Sequence, residues 1–343
     1  MLRDEKWSGD PLFLMMAGLV AGTDGVKNAL ALTRTDLATK IAQRELDRIG
    51  SIAAGAGIDS NKRRLPGLLA RHMAVLATLS QGLTLADART LVEEESQRLG
   101  SSADINTTVA ALRDGLPGAG DWPEIAPILP DIVGEAAIIF WLGSGGVLSG
   151  LGIDPLASVH RAATTALDRT SQVLVRTAQD FATAGRDEPV RWLYAIAQAT
   201  EADVGALITI ANALPHQTMA MRELAVELTQ AIVDRLRSVV TSGEAAEAAY
   251  PSLSTSLANL GVRLGDLGRR EEALAASQEA VDIYRRLAQS RPDAFLPDLA
   301  MCLNSAGAML SSLGRREEAL AASQEAVDIY RRLAPAPSCP IWR

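Results

Sequence analysis

The stretch Leu267–Ala288, LGRREEALAASQEAVDIYRRLA, occurs a second time at Leu313–Ala334 without a single change. The second copy begins 46 residues after the first (313 − 267), and the similarity extends upstream, where Pro251 pairs with Pro297 at the same offset. Repeats of this length are typical of solenoids, in which each unit is a pair of helices that stacks on the next pair. The sequence therefore predicts two stacked helix pairs.

Each repeat divides into two predicted helices, with Leu267-Gly268 as the turn between those of the first repeat. Small residues such as Gly261 and Ala280 stand where the two helices must approach closely. This spacing resembles the tetratricopeptide repeat, and the 46-residue period is similar to its longer, kinesin-light-chain-type variant. The resemblance covers about residues 250–334 and implies a surface that binds a protein or peptide partner.

The resemblance also implies that the first helix of each repeat lines the binding surface. Kinesin-light-chain-type repeats often carry two asparagines before a Leu-Gly pair, and Asn259 keeps the second of them whereas Asn304 keeps the first. The alternative is that these two asparagines only tie neighbouring helices together. With the polar residues that follow in each helix, the predicted partner-binding residues are Asn259, Arg263, Asp266, Asn304, Ser311 and Ser312.

Composition and charge favour an all-α protein that does not bind polyanions. Hydrophobic residues make up 48% of the chain but aromatic residues only 4%, so the cores consist of small and aliphatic side chains that suit closely packed helices. The net charge of −8 argues against a general affinity for nucleic acid or anionic membranes. Cys302 and Cys339 form no disulfide framework and no signal peptide is recognisable, so we expect a cytoplasmic protein.

A chain of this length is expected to form several modules. The predicted fold is a helical solenoid preceded by a winged-helix-like module. Glycine, proline and charge clusters divide the chain into a lid-like helical segment (1–50), a linker (51–64), the winged-helix-like module (65–142), a glycine-rich junction (143–154), irregular helical repeats (155–240), the two regular repeats (241–334) and a proline-rich tail (335–343).

The first segment opens with a predicted helix that Asp10 caps and whose first turn accepts Pro11. Gly9 and Pro11 before an apolar helix resemble the GxP motif in the lid of STAND signalling ATPases, the NACHT and NB-ARC group, where the proline lies against the base of the nucleotide. The chain thus resembles the carboxy-terminal part of such a bacterial ATPase. It contains no GxxxxGK[ST] loop, so the phosphates have no site and we predict no cofactor.

Residues 65–142 predict a helix, a short turn and two further helices, which looks like a helix-turn-helix with a wing between residues 121 and 130. A winged helix gives the alternative function, a transcription regulator that binds DNA. Against this, acidic residues outnumber basic ones between residues 61 and 150, and the third helix carries one arginine between two aspartates. The charge pattern therefore favours a structural role.

The most apolar window is Ile132–Leu151. Because Glu135 and several glycines lie inside it, we predict a buried helix and not a membrane span.

No catalytic or metal-binding motif is visible, since His72, His160 and His216 fall in separate modules. Glu93-Glu94-Glu95 is predicted to lie on a solvated surface. The sequence therefore predicts a protein without catalytic or metal sites, namely an interaction scaffold or sensor in a bacterial signal-transduction system.

The second repeat is followed by prolines and not by a predicted capping helix. Because the repeats are identical from Leu313 to Ala334, the apolar positions Leu274, Ala280 and Tyr284 recur at Leu320, Ala326 and Tyr330 on the last helix. In a solenoid such positions are covered by the next unit. We expect this face to self-associate, to recruit a partner helix, or to fray.

We predict that the purified chain will neither bind nor hydrolyse ATP appreciably, because it has the lid-like motif without the loop that holds the phosphates. Titration calorimetry with ATP checks this prediction. Binding at micromolar affinity would contradict it.

Overall fold

The computed structural model describes residues 10–55, 67–120, 123–200, 203–215, 221–242 and 246–333. These residues are almost entirely α-helical, and their β-structure is confined to isolated bridges that join Leu83 and Pro117 to Ile125. The prediction of an all-α protein is therefore confirmed. The chain divides into two compact units, unit 1 at Met1–Gln198 and unit 2 at Ala199–Arg343.

Unit 1 is built around a buried central helix, α7, which packs against α3, α4 and α9. The helices of this unit are α1 (Pro11–Asp24), α2 (Val26–Ala31), α3 (Arg34–Gly55), α4 (Leu68–Leu79), α5 (Leu85–Leu99), α6 (Ile105–Gly115), α7 (Asp131–Leu142), α8 (Val147–Gly150), α9 (Pro155–Asp180) and α10 (Glu188–Ala199).

The boundaries agree with the sequence at α1 and differ at α3. Asp10 caps α1, because its carboxylate accepts a hydrogen bond from the Leu12 amide at 2.9 Å, and Pro11 begins the helix as predicted. Gly9 lies outside the described residues. In contrast, α3 runs on to Gly55, past the predicted start of the linker at residue 51. Ala53 is fully buried, so this last turn is held by packing despite its glycines.

The apolar window around α7 lies mostly in the core of unit 1. By length and composition alone Asp131–Gly150 could cross a membrane, but 61% of the window is buried inside the protein. Its one buried carboxyl, Glu135, accepts a hydrogen bond from Arg176 Nε at 2.6 Å. Burial and the neighbouring Asp180 carboxyl raise the pKa of Glu135 to about 8. The raised pKa favours the uncharged form of the side chain, whose burial in an apolar helix costs less.

A buried polar network joins α4, α5, α7 and α9. Trp141 Nε1 donates a hydrogen bond to His72 Nδ1 at 3.1 Å. Because the indole nitrogen is a donor only, the imidazole proton lies on Nε2, which faces the Glu95 carboxylate at 3.1 Å. His72 and Glu95 are both fully buried. The prediction that all of Glu93–Glu95 lie on a solvated surface is thus wrong for Glu95, whose helix turns it inward while Glu93 and Glu94 stay exposed.

Two arginines complete this network around the Glu95 carboxylate. Arg98 Nε donates to it at 2.9 Å and Arg161 Nη1 at 3.0 Å. Burial alone would raise the pKa of Glu95, but the contacts with His72 and Arg98 outweigh it and lower the pKa to about 2. Burial also lowers the pKa of His72, although the Glu95 carboxylate opposes that shift.

Acidification should destabilise unit 1 through these two groups. The folded-state pKa of Glu95 lies below its unfolded value of 4.5, so its stabilisation is present above that pH and is lost as the pH falls toward 2. The lowered pKa of His72 acts in the same sense below 6.5. Between about pH 8 and pH 4.5 the raised pKa of Glu135 acts in the opposite sense, because the native state then holds a proton that the unfolded state has lost. We therefore expect the main fall of the calorimetric unfolding midpoint below about pH 4.5, where the stabilisation by Glu95 is lost.

The variant Glu95→Gln tests this network directly. Because it leaves two arginines without their buried partner, it should cost about 3–5 kcal/mol at neutral pH. The matched control is Glu94→Gln, which removes an exposed ion pair with Arg161 and should cost at most about 1 kcal/mol. Equal unfolding free energies for the two variants would contradict the assignment.

Unit 2 consists of helices in which each packs against the next along the chain. Its helices are α11 (Val204–Ala213), α12 (Arg222–Ser242), α13 (Ala246–Asp266), α14 (Arg270–Ser290), α15 (Pro292–Ser312) and α16 (Arg316–Leu333). The pairs α13–α14 and α15–α16 are the two repeats predicted from the sequence. The prediction of stacked helix pairs is confirmed.

Glycines allow the close approach of the paired helices. A Cβ added at Gly261 would lie 2.3 Å from Ser277 Oγ, and one at Gly307 would lie 2.9 Å from Ser323 Oγ. The turn glycine Gly268 has a φ of 76°, in the left-handed region that side chains disfavour. The small residues of the repeat are thus required by geometry.

A repeated ion pair joins the second helices of successive units. Arg237 of α12 bonds to Glu279 of α14 at 2.5 Å, and Arg285 of α14 bonds to Glu325 of α16 at 2.6 Å. Helix α12 therefore occupies the place of a second helix in a preceding unit. The pair α11–α12 is a further helix pair whose sequence has diverged from the regular repeats.

The substitution Ala280→Trp should unfold the repeats, because Ala280 is fully buried and overpacking costs about 1–3 kcal/mol or more. Ala326→Trp should act likewise at the equivalent buried position of the second repeat. Ala275→Trp, at an exposed position of the same helix α14, is the matched control and should melt like the wild type. Thermal melts check this, and a wild-type profile for both test variants would show that the helix register is wrong.

Candidate functional site

A groove of about 310 Å³ lies where α11, α12 and α13 meet. This volume is at the lower end of the range of ligand pockets and suits one or two side chains of a peptide. The lining combines aliphatic residues with hydroxyl and amide groups. The lining residues are Ile208, Ala211, Asn212, Thr229, Ile232, Pro251, Ser252, Thr255, Ser256, Asn259 and Arg263.

Arg263 supplies the positive charge in this lining. Its side chain is half-buried, and within the described residues its guanidinium makes one hydrogen bond, which is long, at 3.4 Å from Nη2 to the Ala211 carbonyl. Burial lowers the pKa of Arg263, while the charge of Asp266 raises it. An arginine remains protonated despite such a shift, so the groove holds a partly desolvated cation with unused donors.

Two amide side chains flank this cation. Asn259 lies one helical turn before Arg263 on α13, and Asn212 lies on α11. Both are exposed, and neither amide has a hydrogen-bond partner among the described parts of the chain. Amides can both donate and accept, so the two asparagines suit the backbone of an extended peptide.

The structure brings together two of the six predicted site residues, Asn259 and Arg263. Asp266 is exposed at the end of α13, where its backbone carbonyl accepts a hydrogen bond from Arg222. The others lie on α15, away from this groove. They are Asn304, Ser311 and Ser312, and all three are exposed. Their role in partner binding stays a prediction.

The second repeat differs from the first at the key positions of the groove. At the 46-residue offset, Met309 stands in the place of Arg263 and Ser305 in the place of Asn259. The Met309 side chain packs over Gly265, where an added Cβ would be 2.8 Å from its terminal carbon. It also contacts the apolar cluster around Leu310. A methionine thus fills the space that stays open beside the arginine.

Sequence reasoning missed the half of the groove contributed by α11 and α12. Ile208, Asn212 and Ile232 belong to helices that share no letter-for-letter repeat with the rest. The available signal was the position of a short helix and a longer one directly before the first regular repeat. From this order of helices, the position of α11 beside α13 and the groove between them could have been inferred.

Comparisons with known proteins agree with the repeat assignment. Residues 253–292 and 299–336 match the family model described as tetratricopeptide repeat. Two crystal structures of MamA align with the chain at a TM-score of 0.29: one at 13% identity over 54% of this chain and 94% of its own, the other at 14% over 55% and 91%. At that TM-score they add nothing to the argument. No curated protein matches the sequence.

A solenoid of stacked helix pairs that carries a groove is typical of proteins that act as interaction scaffolds. Over the two matched stretches the chain is similar to tetratricopeptide repeats, which generally mediate protein interactions. In the described part of the chain, no cluster of three His, Cys, Asp or Glu side chains could hold a metal ion.

Proposed function

We propose that this protein is a signalling scaffold whose repeat region binds an extended, carboxylate-bearing peptide segment of a protein partner. The binding site is the groove between α11, α12 and α13. The observation that carries the proposal is Arg263, a half-buried guanidinium that makes one long hydrogen bond at 3.4 Å within the described residues.

The chemistry of the groove selects the ligand. A guanidinium in a partly desolvated site binds a carboxylate through two parallel, charge-assisted hydrogen bonds. The aliphatic walls at Ile208 and Ile232 suit a small apolar side chain beside it. Asn212 and Asn259 stand where peptide amides would run along the groove. An Asp, a Glu or a chain-terminal carboxylate next to an apolar residue fits this lining.

Unit 1 supports the second part of the proposal, a role in signal transduction. Leu83, between α4 and α5, bonds to Ile125 in both directions at 2.9 and 3.1 Å, and Pro117 after α6 bridges to the same residue. The module thus has one helix, an extended segment, two helices and two more extended segments. This order resembles that of a winged helix. The predicted wing includes Asp121 and Trp122, which lie outside the described residues. Together with the Asp10-capped helix, this order is similar to the lid and winged helix of signalling ATPases.

A DNA-binding role for this module finds little support in its charges. The helix in the recognition position, α6, exposes Asn106, Ala110, Arg113 and Asp114. These side chains carry no net positive charge, whereas affinity for duplex DNA depends on lysines and arginines that neutralise phosphates. We therefore propose a structural role for the module.

The repeat itself supplies the variants that test the groove. Arg263→Met and Asn259→Ser install the residues that the second repeat carries at the equivalent positions, so both are compatible with the fold. A displayed library of short random peptides would be selected on the full chain. We expect the enriched peptides to carry a carboxylate.

Affinity of these peptides should fall about ten- to hundredfold in Arg263→Met, since a hydrogen bond to a charged group contributes about 1.5–3 kcal/mol. Gln278→Ala changes an exposed amide on α14, outside the groove, and should bind like the wild type. Fluorescence anisotropy measures both affinities. Peptides that bind Arg263→Met as tightly as the wild type would place the site elsewhere.

A further inference from the structure

Helices α14 and α16 have the same sequence from Arg270 to Ala288 and from Arg316 onward, but they differ sharply in burial. Leu274 of α14 is 3% exposed, whereas its counterpart Leu320 is 70% exposed. Tyr284 is 3% exposed, and its counterpart Tyr330 is 48% exposed. The expectation of a bare face is wrong for Ala326, which is buried. Because the two sequences are identical, the difference in exposure comes from the neighbours that pack against each helix.

Helix α15 is what covers this face in the first repeat. The ring of Phe295 lies 6.4 Å from that of Tyr284, centroid to centroid, and Leu310 packs on Leu274. In the described part of the chain no helix takes the equivalent place on α16. The packing of α15 on α14 therefore shows which kind of helix fits the equivalent face of α16.

The ion pairs extend this pattern to a second helix. Arg285 of α14 bonds to Glu325 at 2.6 Å and also contacts Asp282 of its own helix. The equivalent arginine, Arg331, keeps the contact within its helix, to Asp328 at 3.3 Å. Among the described residues it has no carboxylate from a following helix. A partner that reproduced both contacts would thus supply a helix like α15, followed by a second helix with a carboxylate for Arg331.

We propose that the exposed face of α16, formed by Leu320, Val327 and Tyr330, binds a helix of a partner protein that has the apolar pattern of α15. A second copy of this chain does not satisfy the same requirement through its own α15, because that helix is already packed between α14 and α16. This face lies on a different helix from the groove, so the inference stands independently of the peptide site.

The test uses a helix-stabilised peptide with the sequence of residues 292–312, the segment that covers α14. A staple between positions 304 and 308 fixes its helicity on the side that is exposed in α15, and circular dichroism checks that it is helical. The full chain is titrated with the labelled peptide. We expect saturable binding to the wild type, and loss of binding to a peptide carrying Leu310→Glu.

Two variants of the chain locate the binding face. Leu320→Lys changes a side chain that is already exposed, so the fold should be kept, and affinity for the peptide should fall at least tenfold. Ala321→Lys, the adjacent exposed residue, is the matched control and should bind normally. Absence of saturable binding to the wild type, or equal affinity of both variants, would overturn the proposal. So would a wild-type dimer that Leu320→Lys dissociates, because a second copy would then occupy the face.

Discussion

The closeness of the paired helices at Gly261 and Gly307 sets the arrangement of unit 2. With no Cβ at these positions, the first helix of each repeat reaches the serine of the second helix, at Ser277 and Ser323. Helices this close bury small side chains efficiently, which explains how a chain with few aromatic residues builds its cores. Between the pairs, Arg285 of one second helix reaches Glu325 of the next. A larger residue at either glycine would push its paired helices apart.

Unit 1 is held by a different balance of forces. Its buried carboxylate, Glu95, accepts hydrogen bonds from one histidine and two arginines, so the desolvation of the charge is offset by its partners. A network of this kind requires a defined arrangement of the helices that contribute to it. Glu135 solves the same problem in the opposite way, since its raised pKa of about 8 lets it lose its charge. Two acids in one unit are therefore tolerated by two mechanisms.

The sequence allowed the repeats to be predicted down to single residues, because an identical segment fixes helix phase, turn position and close contacts together. Gly261 and the turn at Gly268 follow from that phase. Glu95 could not be predicted in the same way, since three adjacent glutamates look alike until the partners on other helices are known. Asn259 was identified from a family pattern and Arg263 as a charge further along the same helix, but their meeting with Asn212 required the fold. Periodicity is local, whereas a polar network or a groove depends on residues distant in the chain.

Both candidate binding surfaces occur where the regularity of the repeat breaks. In a solenoid each unit contacts only its neighbours. The environment of a repeated residue therefore depends on the adjacent unit as well as on the sequence of the repeat. Beside the diverged pair α11–α12, Arg263 of α13 stands in the place that Met309 takes in the second repeat, and a groove is present there. At α16 the letters are unchanged but the neighbouring helix of the first repeat has no described counterpart, and an apolar face remains. Sequence change produces the first surface and a change of neighbour produces the second, so a repeat series can gain binding sites without altering the units between them.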